Sequence, residues 1–182
     1  TKVKTIMISD FTNQASYVNP TLAPEFTEEL KDIYIRQTRL EQVTSNGDLA
    51  LEGEVTGYDF TPMAVKEDAL ASQTRLTITV RVRYMNNTNP AEDFEQSFSA
   101  YRESDSNLML QQVESSLCAE IIEEIVDQVY NAAVANWESM TGGALNPYLE
   151  EPSALSVETL PELHALVEDY PYFALATMLY LK

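Results

Sequence analysis

The run from Leu76 to Tyr84 constrains the fold of this chain most. Leu76, Ile78, Val80, Val82 and Tyr84 alternate with Thr77, Thr79, Arg81 and Arg83. Period two with β-branched enrichment is a half-buried strand, apolar on one face and polar on the other. Such a strand needs neighbours at its edges and a cover over its apolar face. Leu51, Gly53 and Val55 alternate with Glu52, Glu54 and Thr56 before it, and Phe94, Phe98 and Ala100 mark one face of a strand after it. Three consecutive strands predict an antiparallel meander with one wet face. Gly53 and Gly57 predict a bulge or the close approach of a neighbouring backbone.

Two amphipathic stretches supply the cover. Asn19-Pro20 starts a helix on which Leu22, Phe26, Leu30, Ile33 and Tyr34 share a face. Asp105 or Ser106 caps a second helix, in which Leu110, Val113, Leu117, Ile121, Ile125, Val129 and Ala132 recur at three- and four-residue spacing. At about 1.5 Å per residue it reaches roughly 40 Å. Thr1 to Phe11 predicts a further strand, Leu40 to Val43 the start of a short one, and Ser45-Asn46-Gly47-Asp48 a turn. Tyr58 to Val65 leads outward through Pro62, and Lys66 to Ser72 is a polar connection. The expected fold is α+β: a two-layer sandwich with two helices on one face of a four-stranded mixed sheet. It occupies residues 1–137. Met140-Thr141-Gly142-Gly143 then breaks the pattern, and residues 138–182 predict a short helical C-terminal appendage. That appendage ends in an apolar stretch, Phe173 to Leu181, which needs a cover of its own.

Charge and chemistry narrow the function. The formal net charge is −18 over 182 residues. Residues 1–40 hold five basic and five acidic groups, residues 41–104 five and eleven, and residues 105–182 one and thirteen. A duplex nucleic-acid binder needs clustered Lys and Arg, which this chain lacks. The same balance argues against general adhesion to anionic membrane. Cys118, the single cysteine, sits in a helical pattern and reads as a buried structural thiol. One Cys and one His, His164, do not make a zinc site, so no metal and no cofactor are expected. No nucleophile with a base, no oxyanion hole and no substrate-shaped constellation is legible, so no catalytic residue is expected. The chain begins at Thr1 and enters a strand at once, from which we expect a native segment upstream.

The run Asn19-Pro20-Thr21-Leu22, with Phe26-Thr27-Glu28 and Leu30-Lys31-Asp32, resembles the LptE family as it occurs in Bacteroidetes. So do Ser45-Asn46-Gly47-Asp48-Leu49, Glu52-Gly53-Glu54-Val55, Arg75-Leu76-Thr77-Ile78-Thr79-Val80 and Asp93-Phe94-Glu95-Gln96-Ser97-Phe98. Ala133-Val134-Ala135-Asn136-Trp137 is similar to the family's ending, so the resemblance covers about residues 1–137. It implies a non-catalytic outer-membrane lipoprotein that plugs and helps assemble the LptD-type β-barrel, which delivers lipopolysaccharide to the cell surface. Lipopolysaccharide is then a further candidate partner. The family's signal peptide and lipidated Cys lie upstream of Thr1, which implies a periplasmic-side lipid anchor. Residues 140–182 resemble instead the start of an unrelated Bacteroidetes helical protein. The alternative function is a periplasmic carrier for a lipid or other apolar ligand, which needs an enclosed apolar cavity. A small hydrolase is the third and weakest reading.

Two groups are candidate binding residues. Arg75, Arg81 and Arg83 share the polar face of the best strand and suit lipid phosphates or acidic groups lining a barrel. The plainer reading is that Arg81 and Arg83 pair across strands with Glu52, Glu54 or Glu95. Tyr58, Phe60 and Met63 stand at a strand end and suit a partner-binding tip; the plainer reading is that they close one end of the core. Glu120, Glu123, Glu124 and Asp127 read as a solvated helix face, since carboxylates spread over two turns do not build a cation cage. Trp137 is expected to pack on the sheet edge.

Overall fold

The computed structural model describes residues 3–63, 73–106 and 110–140, with Pro161 and His164 beyond them; in the last helix it describes the side chains of residues 111–133. The elements run β1 (Thr5–Ile8), β2 (Thr12–Asn13), α1 (Leu22–Gln37), β3 (Glu41–Val43), β4 (Leu49–Met63), β5 (Gln73–Asn86), a 3-10 turn (Pro90–Glu92), β6 (Phe94–Asp105) and α2 (Leu110–Met140). The sheet order is β3-β1-β4-β5-β6, with β2 added along β4. The α+β sandwich stands, but the sheet has six strands where four were expected. The extra pieces are short. The expected strand from Thr1 to Phe11 stops at Ile8, because the Phe11 amide turns away to donate to the Thr27 hydroxyl of α1 at 3.0 Å. It resumes as the two-residue β2, paired with Glu54 and Val55.

β1 runs parallel to both β3 and β4, so α1 is the crossover between β1 and β3. Residues 44–48 then join strands on opposite sides of β1. The expected turn is therefore a crossing, and Gly47 makes it possible. A Cβ there would stand 2.7 Å from the Met7 nitrogen and 2.6 Å from the Leu49 carbonyl oxygen. Asn46 takes positive φ, 54°, beside it. Asp48 Oδ2 fastens the crossing by accepting from the amides of Lys4 (2.8 Å) and Thr5 (3.0 Å).

β4, β5 and β6 form the expected antiparallel meander. The register shifts between Val55 and Gly57, which is the bulge Gly57 signals. Gly53 is the close approach: β5 backbone and the Phe11 ring occupy the space a side chain would need. Leu51, Val55, Tyr58, Leu76, Ile78, Val80, Val82, Phe98 and Ala100 face the helices. Against them lie Leu22, Phe26, Leu30 and Ile33 of α1, and Ile121, Ile122, Ile125, Val126 and Val129 of α2. Burying each large side chain is worth about 1.5–3 kcal/mol, so this one core carries the domain. Val113 and Leu117 are only partly buried, because the α2 stripe centres one turn later than its first apolar residues. Asp105 ends β6, and the start of α2 adjoins residues 107–109, so the expected cap at Asp105 or Ser106 lies outside the described residues. The Lys66–Ser72 connection, the Trp137 side chain and the apolar end of the tail also lie outside the described residues.

Candidate partner-binding surface

The outer face of the meander is a ladder of charge. Arg83 stands opposite Glu52 on β4 and Glu95 on β6, Arg81 opposite Glu54 and Ser97, and Arg75 opposite Thr61 and Glu103. Arg83 reaches Glu52 at 2.9 Å, Glu54 at 3.1 Å and Glu95 at 3.8 Å. Hydrogen bonds to Glu52 and then Glu54 push its pKa up. Arg81 pairs with Glu95 at 2.5 Å. Arg75 pairs with Glu103 at 2.6 Å and lies 4.0 Å above the Tyr101 ring. Thr77, Thr79, Ser97 and Ser99 fill the rows between. All three guanidiniums are already held by neighbouring carboxylates, so a phosphate would have to compete with them. The face is wide, polar and largely self-neutralised.

The far end of β4 is built differently. Tyr58 is only 4% exposed, stacked on Tyr17 with centroids 5.2 Å apart and edge-on to Phe60. Its hydroxyl donates to Glu114 of α2 and lies 3.6 Å from the Cys118 sulfur; Asn19 Nδ2 reaches the same Glu114 oxygen at 3.5 Å. Burial first, and Glu114 second, push the Tyr58 pKa far above its ordinary value. Tyr58 thus binds the first turns of α2 to the end of the sheet. Phe60 packs on the core, and Met63, half-buried, ends β4. Tyr17, which stacks on Tyr58, and its neighbour Val18 are exposed large apolar side chains, at 54% and 61%. Neither was among the residues expected at this tip, although an aromatic and a Val between Ser16 and Asn19 were the available signal.

The helix layer is acidic. Glu120 and Glu124 do not simply face water: Arg102 of β6 reaches them at 3.1 and 2.5 Å. Glu123 lines an open interhelical groove of about 670 Å³ with Glu25, Glu28, Glu29, Asp32 and Arg36. A second open cleft, about 520 Å³, lies beside Ser9, Asp10, Lys31 and Gln42. Neither is the enclosed apolar cavity a lipid carrier requires. Cys118 is buried, and that burial pushes its thiol pKa up, as a structural Cys requires. Among the described residues no group of His, Cys, Asp and Glu has the arrangement of a metal site. No described helix is long and apolar enough to cross a membrane.

The LptE lipopolysaccharide-assembly family matches residues 3–133, most of the chain. The chain belongs to that family. This LptE-family member is accordingly an assembly lipoprotein of the bacterial envelope, which works with the lipopolysaccharide transport machinery. A separate family, a domain of unknown function designated DUF8458, matches residues 144–182. No curated protein matches the chain. Among solved structures it is similar to uncharacterized lipoprotein B from Nitrosomonas europaea, with TM-score 0.51 and 13% identity over 80% of this chain and 89% of that one. A minor lipoprotein from Acinetobacter baumannii aligns with TM-score 0.44 and 18% identity over 71% and 93% of the two chains. The hypothetical protein CT253 from Chlamydia trachomatis aligns with TM-score 0.46 and 12% identity over 74% and 99%. At these identities the first likeness concerns the fold alone.

Proposed function

We propose that this LptE-family domain is a non-catalytic plug and assembly partner for an LptD-type outer-membrane β-barrel. It would be held by an N-terminal lipid anchor on the periplasmic side and serve lipopolysaccharide delivery to the cell surface. The observation that carries the reading is the polar face of the meander, which no described element covers. Two helices cover the apolar side of the sheet, while the ionic side faces outward with its three guanidiniums paired internally. A polar barrel lumen is matched by such a surface and not by an apolar one. Contacts there would be wet, with Arg75, Arg81 and Arg83 at their centre. The end bearing Tyr58, Phe60 and Met63 is the next contact.

Glutamate at both Arg81 and Arg83 tests this. Rows of unpaired carboxylate would face the lumen wall and repel its acidic groups, so assembly should weaken sharply. The isolated domain should keep its fold, since exposed pairs contribute little. Co-purification of the double variant with its barrel at wild-type yield, with normal surface lipopolysaccharide, would reject the face. The division into residues 1–137 and 138–182 is part of the proposal. Truncation after Trp137 should leave most thermal stability, and a loss above about 3 kcal/mol would make the tail part of the core.

A further inference from the structure

Asn46 is the one asparagine of this chain that a glycine follows. Glycine carries no Cβ, so nothing on Gly47 shields its backbone nitrogen from the Asn46 carboxamide. Asn46 is exposed, at positive φ, while Gly47 beside it is buried in the crossing between β3 and β4. An accessible carboxamide therefore stands next to a nitrogen that is held. Asn87 Nδ2 donates to the Gly47 oxygen at 2.7 Å, and the Asn87 amide donates to the Asp48 oxygen at 2.8 Å. The Thr5 hydroxyl donates to Asp48 Oδ2 at 3.1 Å and accepts from the Asp48 amide at 2.9 Å. Gly47 itself is pressed against the Met7 nitrogen and the Leu49 carbonyl oxygen, with no room for a methyl group. While the crossing is closed, the peptide between Asn46 and Gly47 has little freedom to turn.

We infer that Asn46 is a covalent modification site of this domain, gated by the crossing: it loses its amide when the crossing opens. The Gly47 nitrogen gives its proton to solvent and attacks Asn46 Cγ. The new N–Cγ bond closes a cyclic imide, the Cγ–Nδ2 bond breaks, and Nδ2 leaves as ammonia. Water then opens the imide at either carbonyl. Cleavage at Cγ leaves aspartate. Cleavage at the backbone carbonyl leaves isoaspartate, in which the main chain runs through Cβ and Cγ and is one atom longer. A crossing that cannot take a methyl group at Gly47 cannot take that atom either. Isoaspartate therefore keeps the crossing open and frees β1, which the crossing holds between β3 and β4.

The test ages the full chain at mildly alkaline pH, native and in guanidinium chloride, and follows amide loss by peptide mass mapping. In denaturant Asn46 should lose its amide faster than every other asparagine. In the native chain its loss should be about ten-fold slower or more, because local opening must come first. Thr5→Val removes the two hydroxyl bonds to Asp48, and Asn87→Ala removes the tie on the Gly47 oxygen. Each should speed native loss at Asn46 by roughly three- to ten-fold, with circular dichroism unchanged. Freshly prepared Asn46→Asp should unfold close to wild type, whereas the isoaspartate fraction of aged wild type should unfold at lower denaturant. Native loss as fast as denatured loss, or unmoved by both variants, would overturn the gate. Isoaspartate at Asn46 with unchanged unfolding would overturn the release of β1.

Discussion

Replacing Gly53 by alanine should destabilise the domain by about 2–3 kcal/mol. The added Cβ would stand 2.7 Å from Phe11 Cε1 and 3.1 Å from the Arg81 carbonyl carbon, with the carbonyl oxygen nearer still. Comfortable carbon contacts begin near 3.5 Å. The Phe11 ring is a side chain packed edge-on to Phe26, so it can tilt to make room at some cost in packing. The Arg81 carbonyl cannot, because it belongs to β5 in the centre of the meander. Overpacking relieved by side chains costs roughly 1–3 kcal/mol, and an obstacle made of backbone puts this site at the upper end. Alanine returns about 0.5–1 kcal/mol by restricting the unfolded chain. Urea unfolding should show a midpoint lowered by roughly 1 M at unchanged slope. Phe11→Leu in the same chain separates the two contacts: it relieves the ring and leaves the carbonyl, so most of the alanine cost should persist. A cost below about 0.5 kcal/mol, or one abolished by Phe11→Leu, would refute the backbone argument.

Three further outcomes follow from single groups. Tyr34 is buried with no hydrogen-bond partner for its hydroxyl among the described residues, and burial raises its pKa. Tyr34→Phe should therefore leave stability unchanged or raise it by about 1–2 kcal/mol in thermal unfolding, and a clear loss would mean that the hydroxyl has a partner. Tyr58→Phe removes the donor to Glu114. It should cost about 1–3 kcal/mol and speed amide exchange around Cys118 more than around Val129; uniform exchange would deny the local role. The Lys4 amide, and after it the Thr5 groups, hold the Asp48 carboxyl below its usual pKa. A depressed folded pKa gives stability that is present above about pH 4 and is lost as pH falls through the folded value. Asp48→Asn should flatten that part of the acid limb of urea midpoint against pH, and coincident limbs would contradict it.

Periodicity made the layers legible. Val80 and Val82 had to face a cover because Arg81 and Arg83 could not, and the observed register obeys this. Gly53 and Gly57 were readable for a related reason: a missing side chain in a strand marks where a backbone comes close or the register slips, and one does each. The strand count was not legible. β2 is two residues long, pairs with Glu54 and Val55, and directly follows the Phe11–Thr27 hydrogen bond, a contact across sixteen residues that no local period encodes. Nor did the turn signal at Asn46-Gly47 show which strands it joined. Gly47 fits equally a hairpin and a crossing, and only the packing on Met7 distinguishes them.

The candidate surface was harder to read than the fold because it is made of pairings, and pairings have no period. Arg75, Arg81 and Arg83 were visible as a stripe. Their commitment to Glu52, Glu54, Glu95 and Glu103 depends on three strands arriving in one register. One signal was available and unused. Arg102 occupies the parity of Phe98 and Ala100, the side of β6 that faces the helices. A guanidinium on a core-facing row survives only where the sheet ends and the cover supplies carboxylates. Its presence in sequence therefore required acids on the covering helix. Those acids, Glu120 and Glu124, were in view as an apparently solvated face. A charge at a core parity and a charged stripe on the cover are one statement made twice, and together they locate the edge of a sheet.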